Sequence, residues 1–397
     1  MNQPSGNRVV SSPLAATAAM LAALGSLAAQ SFSDFVDQRK STQPYAKVLQ
    51  IEAGAIGVEP DDGDPAAGLD RDVSWDARLW YRNEAFGSRR GTLEGYAGRD
   101  GLYASLQDGK LVGDDTVTRL EFRGRPWVFY RDAFYRDDQL VPNGFYEGSD
   151  YEAYAGFGKD QQNLYVELGP YYRKLDFERS DLTPGPSQFV LPDGFNAYGV
   201  RLYVEQSTLQ FDRRRGTIRD GYVLSLCGER EWNDSEGEFG SSAFATALPS
   251  AVWRVRGRLD WYIQAADSIT WEVFATGGWQ DEKDRLWNTD GSRPLGNQWA
   301  DAQVRLRLDL STSLSLAPFV HGQFSRTLDE DGFSSTKNFF FGGGAEAYLH
   351  LGEVVSLHGY YSYLDNENRP SIRIDEDLHG QHMFYLGMVL RLGATRR

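Results

Sequence analysis

The chain has 397 residues, an aromatic content of 13% and a formal net charge of −15. Phosphate backbones repel a chain this acidic, which argues against nucleic acid as a partner. Its single cysteine, Cys227, excludes an internal disulfide, and the sequence contains no cysteine–histidine cluster with zinc spacing.

The chain opens with features of a secretion signal. Arg8 precedes an alanine-rich apolar run over 13–29, and small residues at its end have the spacing of a cleavage site. We predict a signal peptide over 1–29, the alternative being a buried N-terminal helix. Residues 30–45 are predicted to form a short periplasmic lead, or instead to fold inward as a partial plug. No later segment reaches the ~18 apolar residues of a membrane helix, so any further crossing must use strands.

The rest of the chain alternates between apolar and polar residues with the period of a β-strand. Long polar connections alternate with tight turns, which places both termini on one side of the structure. This rhythm predicts an all-β fold over 46–397, an antiparallel transmembrane up-and-down β-barrel of about 16 strands. The predicted strands lie near 46–58, 73–85, 91–106, 116–124, 126–137, 150–159, 163–177, 196–211, 218–232, 250–265, 268–281, 297–311, 313–327, 337–351, 354–365 and 381–393.

The strand near 250–265 shows why a membrane is favoured over a soluble sandwich. Trp253, Val255 and Trp261 share one face of this strand, and arginines occupy the other. Eight residues separate the two tryptophans, about 26 Å along a strand, which suits the two aromatic girdles of a membrane protein. We therefore predict that the apolar face meets lipid in the bacterial outer membrane and that the charged face meets the lumen.

Seven charged residues on neighbouring strands are predicted to line that lumen. A row of fixed positive charge can steer anionic solutes, and in the alternative interpretation the arginines pair with nearby carboxylates and brace the wall. Between the two groups of arginines, the sequence pattern identifies one inward carboxylate, so it predicts a local positive excess. The pore-lining set is Arg254, Arg256, Arg258, Glu272, Arg305, Arg307 and Asp309.

The sequence offers little sign of catalysis. His350 and His358 alternate inward, and Ser356 lies on the face of His358, but same-face neighbours on a strand are common without catalysis. We predict no catalytic residues, no enzymatic activity and no cofactor. Acidic runs at 59–64, 328–332 and 374–377 lack the spacing of a calcium loop, and they are either solvated loops or weak sites for divalent cations. No dedicated metal site is predicted.

One segment resembles a known family. Residues 208–226 read TLQFDRRRGTIRDGYVLSL, and they are similar to a strand–turn–strand segment of the bacterial surface-antigen superfamily of outer-membrane assembly and translocation barrels. Asp212, Arg214 and Gly221 occupy the matching positions. The resemblance implies a sixteen-stranded barrel. The family's POTRA domains and its Val-Arg-Gly-aromatic lid motif are not found here, so the resemblance does not carry a client-assembly role over to this chain.

These observations favour a passive pore for small polar or anionic solutes, with the lipid bilayer as its surroundings. One alternative is a surface-antigen-type barrel for protein assembly or secretion. Another is a structural or receptor-like barrel with a plugged lumen. The sequence leaves open whether the barrel forms a homo-oligomer.

Overall fold

The computed structural model describes residues 39, 44–60, 72–87, 91–99, 101–108, 116–136, 139–179, 189–191, 193–212, 217–241, 246–281, 297–328, 335–364 and 381–396. Throughout these ranges the regular structure is β. No helix in this part of the chain has the length and apolar character needed to cross a membrane. The predicted signal peptide lies outside the described residues.

Sixteen strands form the wall of the molecule. In chain order they are β1 (Tyr45–Pro60), β2 (Asp72–Asn83), β3 (Thr92–Gly98), β4 (Gly101–Asp108), β5 (Val117–Arg136), β6 (Gln139–Gln161), β7 (Leu164–Arg179), β8 (Phe195–Ser207), β9 (Thr217–Asn233), β10 (Ala251–Ala266), β11 (Ile269–Gln280), β12 (Gln298–Asp309), β13 (Leu314–Leu328), β14 (Ser335–Leu351), β15 (Val355–Leu364) and β16 (Gln381–Arg396). Four short strands lie in the connections, at Phe189–Val190, Gln210–Asp212, Glu238–Ser241 and Thr246–Ala247.

Each strand pairs antiparallel with its neighbours in sequence, and the sheet closes on itself. The closing seam joins β1 to β16 from Tyr45↔Arg396 to Pro60↔Gln381. The predicted up-and-down barrel of sixteen strands is therefore confirmed. β5 and β13 stand eight positions apart around the ring, and some of their residues still come within 8 Å of each other, Cα to Cα.

The predicted strand count was right through two errors that cancel. The segment predicted as one strand near 91–106 turns back on itself and forms β3 and β4, with Gly98 paired to Gly101. The two strands predicted near 116–124 and 126–137 are one continuous strand, β5, interrupted by an irregular register between Arg125 and Val128. A β-bulge of this kind breaks the apolar–polar alternation without ending the strand.

The predicted orientation of the strand faces is confirmed. Trp253 and Trp261 of β10 are 52% and 44% exposed, whereas Arg254 and Arg256 between them are buried. The outer face is apolar along the other strands too, with Leu226 of β9 at 54% and Leu386 of β16 at 68%. Large apolar side chains thus cover the outside, and charged side chains fill the inside.

Candidate functional site: the charged barrel interior

The interior is packed with charged and aromatic side chains. Arg201, Glu167, Glu205 and His358 are each less than 2% exposed, as are Tyr165 and Tyr203. A buried charge is tolerated only where opposite charges and hydrogen bonds compensate for its lost hydration. The contacts of these residues therefore define what the interior can do.

The three predicted arginines of β10 point inward, and each has a carboxylate partner. Arg254 makes two hydrogen bonds of 2.9 Å to Glu231, a bidentate pair. Arg256 lies 2.9 Å from Glu229. Arg258 binds Asp260 through Nε at 2.9 Å.

The predicted charges of β11 and β12 are paired as well. Arg307 lies 2.5 Å from Glu272 and 3.8 Å from Asp309. Arg305 forms an ion pair with Glu346 of β14. All seven residues of the predicted set therefore have an ion-pair partner, and Arg307 joins Glu272 to Asp309.

The predicted local excess of positive charge was wrong. The prediction counted Glu272 alone between the arginine groups, but Glu229 and Glu231 approach from β9 and Glu346 approaches from β14. These partners come from strands whose register the sequence pattern does not specify. The geometry corresponds to the alternative in which the arginines brace the wall.

Arg201 of β8 connects the ion pairs of β9 and β10 to carboxylates of β5 and β6. Its guanidinium lies 2.6 Å from Glu229 and 2.8 Å from Glu152 of β6, and 3.9 Å from Glu121 of β5. Because Arg256 also binds Glu229, an unbroken series of ion pairs runs from β10 through β9 and β8 to β5.

Arg39 lies at the end of this series, although it precedes the first strand. Its side chain is fully buried, with Nε 3.3 Å from Glu167 and a terminal nitrogen 3.5 Å from Glu121. Its backbone N–H donates to Glu205 at 2.6 Å. Burial alone would lower the pKa of Arg39, but the charges of Glu121 and Glu167 hold the pKa of Arg39 above its ordinary value. For this residue of the 30–45 segment, the placement is the inward one that a plug requires.

The residues around Arg39 were not singled out from the sequence, although the sequence contains a signal for them. The tetrapeptide Leu-Tyr-Val-Glu occurs at 164–167 and again at 202–205. In the barrel these repeats pair antiparallel, with Tyr165 opposite Glu205 and Glu167 opposite Tyr203. Tyr203 donates to Glu205 at 2.6 Å, and Tyr165 donates to Glu167. The repeat therefore places two carboxylates and two phenols at one place in the wall.

His358 connects the first strand to the last part of the chain. Its Nδ1 lies 3.1 Å from Glu52 of β1, and its Nε2 lies 2.9 Å from Glu346. Tyr385 of β16 donates to Glu52 at 2.8 Å. Ser356 contacts His350 and Arg391 at 2.9 and 2.8 Å. The inward histidines thus take part in structural contacts, and the absence of enzymatic activity stays a prediction.

Weak binding of divalent cations at the acidic runs stays a prediction. The acidic runs at 59–64, 328–332 and 374–377 fall mostly or entirely outside the described residues. In the part of the chain that is described, no group of three or more His, Cys, Asp or Glu side chains is arranged to hold a metal ion.

Two of the three residues that carried the family resemblance can be placed. Asp212 ends the short strand Gln210–Asp212, and Arg214 lies outside the described residues. Gly221 of β9 has a φ of 102°, and a Cβ there would lie 2.4 Å from the carbonyl oxygen of Thr208. Only glycine suits this position, because both the backbone conformation and the close carbonyl exclude a side chain.

Comparison with known proteins shows the fold. No family model and no curated protein sequence matches the chain. Among solved structures, it is similar to CdiB from Acinetobacter baumannii, at 9% identity and a TM-score of 0.50, over 89% of this chain and 61% of that chain. It is similar to BamA from Haemophilus ducreyi lacking POTRA domains 1–3, at 10% identity and a TM-score of 0.51, over 87% of this chain and 70% of that one.

The chain thus spans less than two thirds of the CdiB chain. At these identities the likeness concerns the fold alone. The predicted weak resemblance to surface-antigen-type barrels is therefore confirmed for the fold alone.

Proposed function

We propose that this chain is a bacterial outer-membrane barrel whose interior is closed to free diffusion at rest, with a structural or receptor-like role. The observation that carries the proposal is the burial of the inward charges. In an open sixteen-stranded porin the lumen is an aqueous channel, and its lining is wet. Here Glu167, Glu205 and His358 are fully buried, and Arg201 is 1% exposed.

The ion pairs also support a closed interior. Arg39 joins Glu121 to Glu167, and Arg201 joins Glu121, Glu152 and Glu229. Each pair uses both a fixed cation and a fixed anion, so little unbalanced charge remains to attract a solute. Breaking a buried pair leaves an uncompensated charge, at a cost of about 3–5 kcal/mol. The closed arrangement is therefore expected to persist at rest.

Liposome swelling tests this proposal. The full chain is refolded into liposomes, and heat-dependent migration in electrophoresis confirms the folded barrel. We expect no swelling above that of protein-free liposomes in isotonic solutions of small neutral or anionic solutes. Swelling whose rate falls with solute size would contradict a closed interior and would support an open pore.

The passive pore for small polar or anionic solutes is the second candidate, supported by the inward row of Arg254, Arg256 and Arg258. If current is observed, its reversal potential should show little preference for anions over cations, because Arg254, Arg256 and Arg258 are each paired with a carboxylate. An assembly or secretion role would instead predict capture of unfolded outer-membrane proteins, which a pull-down with such clients measures.

A further inference from the structure

Arg39 is held as a bound ligand would be. Its guanidinium contacts Glu167 at 3.3 Å and Glu121 at 3.5 Å. The guanidinium carbon lies 4.4 Å from the ring centroid of Tyr203 and 6.0 Å from that of Tyr154. All four of these side chains belong to the barrel wall, whereas Arg39 precedes the first strand by six residues.

The wall forms this pocket with its own hydrogen bonds. Tyr154 donates to Glu167 at 2.9 Å, and Tyr165 donates to the other oxygen of Glu167, so that carboxylate is oriented from two sides. Gly156 makes room for it, because a Cβ at that position would lie 2.6 Å from Cδ of Glu167. Glu121 is shared, since Arg119 binds it at 2.9 Å and Arg123 binds it as well. Glu167 is therefore the carboxylate that best defines the pocket.

The geometry suits a guanidinium better than an ammonium ion. A guanidinium is planar and weakly hydrated, so it stacks on an aromatic face while its edge donates to carboxylates. Here a tyrosine ring lies against the group and two carboxylates lie at its edge. An ammonium ion is compact and strongly hydrated, and it loses more on entering a dry pocket.

We propose that Glu121, Glu167, Tyr154 and Tyr203 form a recognition site for small guanidinium-bearing solutes, which the side chain of Arg39 occupies as a tethered ligand. A free solute of this class competes with Arg39 for the same contacts. Glu205 also holds the main chain, because it accepts from the backbone N–H of residue 39. Any effect of the solute on the closed interior rests on the proposed function, but the binding itself does not.

Chemical complementation of Arg39→Ala tests the site. This full-length variant keeps the backbone contact with Glu205 and vacates the side-chain pocket. The midpoint of thermal unfolding, followed by electrophoresis, is measured with methylguanidinium, with ethylammonium and with sodium at equal ionic strength. We expect Arg39→Ala to unfold at a lower temperature than the wild type. Methylguanidinium should raise that midpoint saturably, as a ligand specific to the folded state does.

Two matched variants serve as controls. Arg219→Ala removes an arginine whose side chain is 52% exposed, and its midpoint should not respond to methylguanidinium. Adding Glu167→Gln to Arg39→Ala should abolish the response, because the carboxylate that defines the pocket is lost. Equal effects of methylguanidinium and ethylammonium on Arg39→Ala would overturn the site, as would a response that survives Glu167→Gln.

If Arg39→Ala does not fold alone, the yield of folded barrel becomes the readout. Methylguanidinium should then raise the yield above that in ethylammonium, and no difference would overturn the proposal. The two proposals fail separately: wild-type liposomes that swell contradict the closed interior alone. An Arg39→Ala barrel that ignores methylguanidinium contradicts the recognition site alone.

Discussion

Arg201 illustrates how single residues stabilise the interior. It is 1% exposed, it binds Glu152 and Glu229, and its guanidinium carbon lies within 5.0 Å of the ring centroids of Tyr154 and Tyr171. Two carboxylates on different strands thus share this buried cation, which makes this residue sensitive to substitution.

We expect Arg201→Leu to lower the free energy of unfolding by about 3–5 kcal/mol, because it leaves buried carboxylates without that cation. Arg219→Leu is the control, since its 52% exposed side chain makes only a surface contact, worth about 0–1 kcal/mol. Urea unfolding of each barrel in liposomes measures the difference. Similar losses for both variants would mean that the interior pairs do not stabilise the barrel.

Gly221 and Gly228 of β9 provide a second matched pair at this scale. Gly221→Ala forces a side chain into a backbone conformation with φ of 102° and against the carbonyl of Thr208, so we expect a loss of about 1–3 kcal/mol. A Cβ added at Gly228 would meet nothing within 4 Å, so Gly228→Ala should change stability by about 1 kcal/mol or less. The same urea titration applies, and equal effects would contradict the requirement for glycine at position 221.

At the residue scale the sequence predicted which side chains point inward but not which ones meet. Alternation assigns Arg254 and Arg305 to the inner face without aligning strands. Their partners, Glu231 and Glu346, depend on the register between strands. Arg39 lies outside any alternating segment, so no periodic signal could place it.

At the scale of elements, the outer face of the strands carries large apolar side chains, which suit contact with hydrocarbon. Leu226 lies in the middle of β9, opposite Gly257 of β10, and is 54% exposed. Leu164 begins β7 next to a tight turn and is 45% exposed. The two leucines have similar exposure and differ in their expected depth in the membrane.

We expect Leu226→Arg to make folding into liposomes less favourable by about 2–4 kcal/mol, because an arginine at the bilayer midplane carries that cost. Leu164→Arg should cost about 0–1 kcal/mol, because near the interface the charge reaches water. Reversible folding into liposomes measures both values. Equal costs would contradict the depth assigned to these positions, and no cost for either would contradict the membrane assignment.

Strand boundaries were predicted well wherever polar loops interrupt the alternation. One strand predicted near 150–159 begins earlier, since β6 starts at Gln139. The prediction also failed between 91 and 137, for opposite reasons in the two halves. The turn between β3 and β4 is so tight that alternation continues through it, from Gly98 directly to its partner Gly101. The irregular register after Arg125 breaks the alternation inside one strand. Periodicity alone does not distinguish a tight hairpin from a long strand, or a bulge from a turn.

At the scale of the whole molecule, charged contacts join distant parts of the chain. His358 and Tyr385 both reach Glu52 of β1, so the first and last strands are held by interior contacts as well as by the seam. The contacts of Arg39 and Arg201 tie β5, β6, β7, β8 and β9 together. In the described residues the barrel interior thus resembles a core composed of ion pairs and tyrosines, which supports the closed resting state that we propose.

Electrical recording from planar bilayers tests that closed state most directly. The wild-type barrel carries a fluorescent label, so that each insertion is seen independently of current. We predict that current stays at the level of the bare bilayer after insertion, because we expect the ion pairs buried in the described part of the interior to close the water path. Stable ohmic current steps accompanying each insertion would contradict the account and establish an open pore.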